Sequence, residues 1–176
     1  MDTTPLRDAY RALLEAAATV ADAGDSRLVR PAGEWNADQI LAHLTIVNAV
    51  TVAAAGTITA GANTTYDNRV ALDTWTIDRV IARAGGNAAL RDRIAAQAEI
   101  VCALGEMVSE PELDTLVPTL LVSNDMVVID QPMSLKDLFN GLAEGELPGH
   151  SHQLLALLPD DTGSANTRPP VVPARP

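Results

Sequence analysis

A chain of 176 residues is long enough for one domain with a real core and too short for two comfortable ones. With 47% hydrophobic and 20% charged residues it has a globular balance, and a net charge of −11 argues against nucleic acid and anionic membranes as partners. The lone Cys102 cannot form an internal disulfide, and the opening MDTTPLRDAY has no apolar signal core, so a cytoplasmic protein is expected.

The chain reads as a single domain over residues 1–158 with a Pro-rich tail over 159–176. Pro5 opens a helix over residues 4–23. Leu6, Tyr10, Leu13, Ala17 and Val20 keep its helical spacing, and Gly24 ends it. After a loop that runs to Trp35, Asn36 with Gln39 predicts a capping box for a second helix, whose inner stripe is Ile40, Leu44, Val47, Thr51 and Ala54. His43 sits at the edge of that stripe. The run from Ile40 to Ala62 is apolar enough to suggest a membrane span, but His43, Asn48 and several threonines interrupt it and no basic flank follows. A helix buried on more than one side is expected instead, with a homodimer contact as one way to cover it.

Residues 56–66 predict a polar connection, and Asp67 to Ala84 a shorter helix with Val70, Ile77, Val80, Ile81 and Ala84 facing in. Trp75 lies off that stripe, a candidate to line a groove. Asn87 is the expected cap of a further long helix carrying Leu90, Ile94, Ala98, Val101, Leu104 and Val108, and Cys102 is expected as an inert core thiol on it. Between Leu116 and Met133 two β-rich runs flank a Ser123-Asn124-Asp125 turn, the pattern of a hairpin.

The final helix begins at Ser134, with Asp137 three residues on, and carries Leu135, Leu138, Phe139, Leu142, Leu154 and Leu157 as an apolar stripe. Taking about 100° per residue from Leu135, Glu146 falls at about 20°, His150 at about 60° and Gln153 at about 0°, all inside the stripe. Glu144 at about 180° and His152 at about 260° face away. A carboxylate and an imidazole one turn apart on a buried face need a partner, because unpaired they would be costly to desolvate. His43, Glu146 and His150 are therefore candidates to meet around a divalent metal, which takes imidazole and carboxylate ligands. The residues alone leave open a satisfied core histidine or a plain helix-surface hydrogen bond.

The segment EWNADQILAHL, a Trp ahead of a capped helix with a His eight residues on and then Leu, resembles the DinB-like families of metal-binding helical bundles. The string from Glu146 through His150 and Gln153 to Leu154 resembles the last helix of those proteins, with Glu in the first ligand place as in the N-terminal domain of mycothiol-dependent maleylpyruvate isomerase. This resemblance, over about residues 4–158, implies a mostly α, up-down four-helix bundle with an extra short helix and a small hairpin before the last helix. It implies metal ligation by His43, Glu146 and His150, with zinc as the ion or nickel as the alternative, and a low-molecular-weight thiol as co-substrate. Thiol transfer or conjugation onto a small electrophile is the activity it suggests.

Two departures stand out. Pro148 lies between two of the implied ligands, where it removes a backbone donor and should kink the helix. The isomerase also has a second domain that this chain lacks, so its reaction is not carried over. The alternative is a non-catalytic bundle binding a small ligand or a partner, in which Glu146 bonds directly to His43 or His150. Gln153 is expected to orient a ligand, Trp35 to anchor the helix entrance, and His152 to face solvent. Tyr66, Asp67 and Arg69 form a polar approach that could grip an acidic or sugar-like substrate. No phosphate loop, cysteine pair or nucleophile elbow is present, and the single lysine, Lys136, stands near a helix start.

Overall fold

The computed structural model describes residues 1–24, 28–29 and 33–159; the tail predicted beyond 159 lies outside the described residues. The protein is mostly helical, with a small three-stranded sheet. Helix α1 spans Thr4–Ala23, buries Leu6, Tyr10, Leu13, Ala17 and Val20, and ends at Gly24, whose φ of 74° suits a residue without Cβ.

Helix α2, Ala37–Thr59, starts from the expected capping box: the Gln39 N–H donates to Asn36 Oδ1 at 2.9 Å and the Asn36 N–H to Gln39 Oε1 at 3.0 Å. It is the one helix among the described residues long and apolar enough to cross a membrane, yet 61% of its most apolar window is buried inside the chain. Residues 40–48 are buried all round within the chain, whereas Ala49, Ala53 and Gly56 further along are exposed. Asn48, the polar residue in this run, is satisfied internally: it accepts from Tyr10 Oη at 2.6 Å and donates to Gln97 Oε1 at 3.3 Å.

The single helix expected from Asp67 to Ala84 is in fact two, α3 (Arg69–Leu72) and α4 (Thr74–Ala84). Asp73 makes the break, accepting from the Thr76 N–H at 2.9 Å and the Thr76 hydroxyl at 2.6 Å, and so caps α4 afresh. Val70, expected inward, is 45% exposed because Ala71 takes the buried position. Helix α5, Asn87–Met107, buries Leu90, Ile94, Ala98, Val101 and Cys102. Its cap is Gly86 rather than Asn87, whose side chain instead donates to Asp38 at 2.8 Å. Burial raises the Cys102 thiol, in keeping with an unreactive role. A short α6, Glu110–Leu113, follows.

Strands β2 (Leu116–Ser123) and β3 (Met126–Ser134) form the expected antiparallel hairpin. Asn124 and Asp125 turn it with φ of 50° and 60°, left-handed values that these two residue types tolerate. An unexpected strand, β1 (Tyr66–Asp67), adds in parallel to β2, giving the order β1-β2-β3.

The last helical segment starts where the Asp137 N–H donates to Ser134 Oγ at 3.0 Å. It runs as α7 (Leu135–Gly141), a π-helical turn (Leu142–Glu146) and α8 (Leu147–Leu155). The disruption expected at Pro148 thus takes the form of a widened turn just before it, closed by the Leu147 N–H on the Leu142 carbonyl. Pro148 then sits in the first turn of α8, where a missing donor costs least. Helix α1 packs on α8 and α5, and α2 packs on α5 and also touches α4, α7 and α8.

Candidate functional site

His43 comes from the buried middle of α2 and is only 3% exposed. Its Nδ1 lies 2.9 Å from the carbonyl oxygen of Ala71. That carbonyl lacks an intrahelical partner because α3 is only four residues long. A carbonyl only accepts, so Nδ1 carries the proton and Nε2 faces the site. Nε2 lies 2.8 Å from Glu146 Oε1, at the end of the π turn.

One turn further on, His150 repeats the arrangement. Its Nδ1 pairs with Gln153 Oε1 at 2.8 Å, and its Nε2 lies 3.4 Å from the same Glu146 Oε1. Two imidazoles on different helices therefore turn the same nitrogen toward one carboxylate oxygen. One ligand atom from each of His43, Glu146 and His150 lies within 4.8 Å of the others, so the group could hold a metal ion. A neutral Nε2 presents a lone pair, and a lone pair against a carboxylate repels. Each contact therefore requires a proton or a cation between the two atoms.

Electrostatics follow from this crowding. Burial pushes the Glu146 carboxyl up, but hydrogen bonds from His150 and His43 and their positive charge outweigh it and hold the group well below the usual carboxylate range. Trp35 closes one side: its ring centroid is 4.9 Å from that of His43 and 6.4 Å from that of His150, nearly parallel to the latter at 13°. It does more than anchor the helix entrance.

A cavity of about 620 Å³ opens over the three residues. Its walls include Glu34, Asn68, Asp125, Gly145 and Gly149, and among the described lining residues there is no Lys or Arg. The hairpin tip forms part of the wall and is pinned by Asn68, which donates to the Val122 carbonyl at 3.0 Å and accepts from the Val122 N–H at 2.9 Å. These bonds continue the β1 side of β2 past Asp67, where the Asn68 N–H also donates to the Leu120 carbonyl at 3.3 Å.

Sequence patterning missed Asn68, whose partner is 54 residues away. It also missed that Gly145 and Gly149 line the cavity, although their i, i+4 spacing is visible in the chain. A Cβ at either would meet nothing within 4 Å, so the helix presents bare backbone to open space there.

Other expected positions resolve differently. His152 and Glu144 are exposed, as their helical angles predict. Arg69 is exposed and held by Asp67 through contacts of 3.0, 3.0 and 2.6 Å, and neither residue is among those lining the cavity. Tyr66, the third residue of that polar approach, is buried with its hydroxyl 3.0 Å from Thr51 Oγ1. Trp75 is 66% exposed, with the Arg79 guanidinium 5.1 Å over its ring, and does not line the cavity either.

Comparison with family models, with curated proteins and with solved structures finds no match for this chain.

Proposed function

We propose that this protein is a divalent-metal-dependent enzyme of the DinB-like, mycothiol-dependent type, built as an up-down four-helix bundle and joining a low-molecular-weight thiol to a small electrophile. The single observation that carries the reading is that both imidazoles turn Nε2 toward one carboxylate oxygen while other groups occupy their Nδ1 atoms. Ala71 and Gln153 occupy the two Nδ1 atoms, which leaves both Nε2 atoms aimed at one oxygen of Glu146. Histidines that ligate metal characteristically donate their other N–H to a carbonyl or similar acceptor in this way.

The donor set of two imidazole nitrogens and one carboxylate oxygen fits zinc, with nickel as the alternative, and leaves a position for a small molecule. When bound, such an ion supplies Lewis acidity that favours the thiolate form of a coordinated thiol. His43, Glu146 and His150 would hold the ion, Ala71 and Gln153 fix the imidazole planes, and Trp35 shields them from one side. Asn68 keeps the hairpin tip over the chamber, so that water reaches it from fewer directions.

A second reading draws on the 2.8 Å contact between His43 Nε2 and Glu146 Oε1. A protonated His43 would make that contact an ion pair, as in a non-catalytic bundle that binds a ligand or a partner without metal. Emission spectroscopy on the purified chain, followed by an assay of thiol conjugation, separates the two. Zinc or nickel near one equivalent with turnover supports the enzyme; a chain that takes up neither ion supports the second reading.

A further inference from the structure

A smaller apolar crevice of about 180 Å³ lies between the hairpin and α7, walled by Val47, Tyr66, Leu121, Met133, Leu138 and Leu142. It adjoins the larger chamber: Asn68, Val122, Ser123 and Glu146 border both. Glu146 thus separates two environments. On one side lie the imidazoles and a wall of neutral polar and acidic groups, including Glu34 and Asp125; on the other lies a slot lined mainly by aliphatic side chains and Tyr66, with Asp137 also on its wall. For scale, an engineered cavity of about 150 Å³ lined by apolar residues binds benzene.

We infer that the site takes a two-part ligand: a metal-seeking head in the chamber beside His43, Glu146 and His150, and a compact apolar group of about benzene size beneath the hairpin, with no free carboxylate or phosphate. The head's position rests on the proposed metal centre. The apolar arm rests on the crevice alone. Exclusion of acids from the arm follows from the cost of desolvating a carboxylate in the crevice and from Asp137 and Glu146, which border it.

Two measurements on the full chain decide the matter. In the first, calorimetry on zinc-loaded protein compares 2-mercaptoethanol, benzyl mercaptan and 4-(mercaptomethyl)benzoic acid. Benzyl mercaptan should bind about ten- to a hundredfold more tightly than 2-mercaptoethanol, the gain from burying its ring. The acid should lose most of that gain.

The second measurement needs no metal. With methyl-labelled methionine, benzyl alcohol should shift the signal of Met133 on the crevice wall but not those of Met107 and Met126, which are 78% and 68% exposed. Equal affinity for the two neutral thiols, or a Met133 signal that does not move, overturns the two-part ligand. A chain that holds no zinc overturns the metal centre and with it the seat of the head, and the benzyl alcohol result still decides the arm.

Discussion

His43 Nδ1 stands 2.9 Å from the carbonyl oxygen of Ala71, which fixes the face that the imidazole turns toward Glu146. Backbone supplies this orienting bond, so a point substitution cannot easily remove it. Its counterpart on His150 comes from a side chain, Gln153, 2.8 Å away. Gln153→Leu should leave the fold intact and weaken zinc binding about 10- to 100-fold, the usual cost of losing a group that orients a ligating histidine. Gln153→Glu should retain most of the affinity. Competition against a chromophoric chelator measures both.

Acid stability follows from Glu146. Its carboxyl is held below the usual carboxylate range in the folded chain, so the unfolded chain takes up the proton first as pH falls. The resulting stabilisation is present above the ordinary glutamate value of about 4.3 and is lost as pH drops from there toward the folded value. Melting the protein in chelator from neutral to acid pH should show a fall in midpoint below that value. In Glu146→Gln the fall should be shallower, and an identical slope in the two proteins would contradict the assignment.

The helix that carries His43 depends on its first turn. Asn36→Ala removes the acceptor for the Gln39 N–H and should cost about 1 kcal/mol, a drop of about 2–4 °C in Tm for a chain of this size. Asn36→Asp should retain the cap. Thermal melts followed by circular dichroism check both.

Asn68 ties the hairpin tip to the start of α3 through two hydrogen bonds to Val122. Asn68→Ala should speed hydrogen exchange at the Val122 amide by about tenfold or more, because that N–H loses its acceptor. Protection in the α1 and α5 cores should not change. Residue-resolved exchange by NMR reads the difference.

Much of this arrangement was legible in the chain, for local reasons. The Asn36–Gln39 capping box, the Ser134 start and the Asn124-Asp125 turn all depend on residues within a few positions of one another. Helical periodicity placed Glu146, His150 and Gln153 on one side of the last helix and Glu144 and His152 on the other. That survived the π turn, whose extra residue is taken up before Pro148.

What depended on distant partners was not legible. Asp73 divided an expected helix because its side chain competed for the Thr76 N–H, which periodicity does not register. Strand β1 exists because Tyr66 and Asp67 meet Thr119 and Leu120, and two residues carry no pattern of their own. The pairing of Arg69 with Asp67 likewise has no signature in periodicity.

X-ray absorption at the zinc edge of the zinc-loaded full chain tests the proposed centre most directly. The prediction is one tightly held ion with two imidazole nitrogens at about 2.0–2.1 Å and a carboxylate oxygen at about 2.0–2.2 Å, and a spectrum that loses one imidazole in His43→Ala. A chain that retains no zinc after dialysis, or an ion surrounded only by water oxygens and unchanged by His43→Ala, would contradict it.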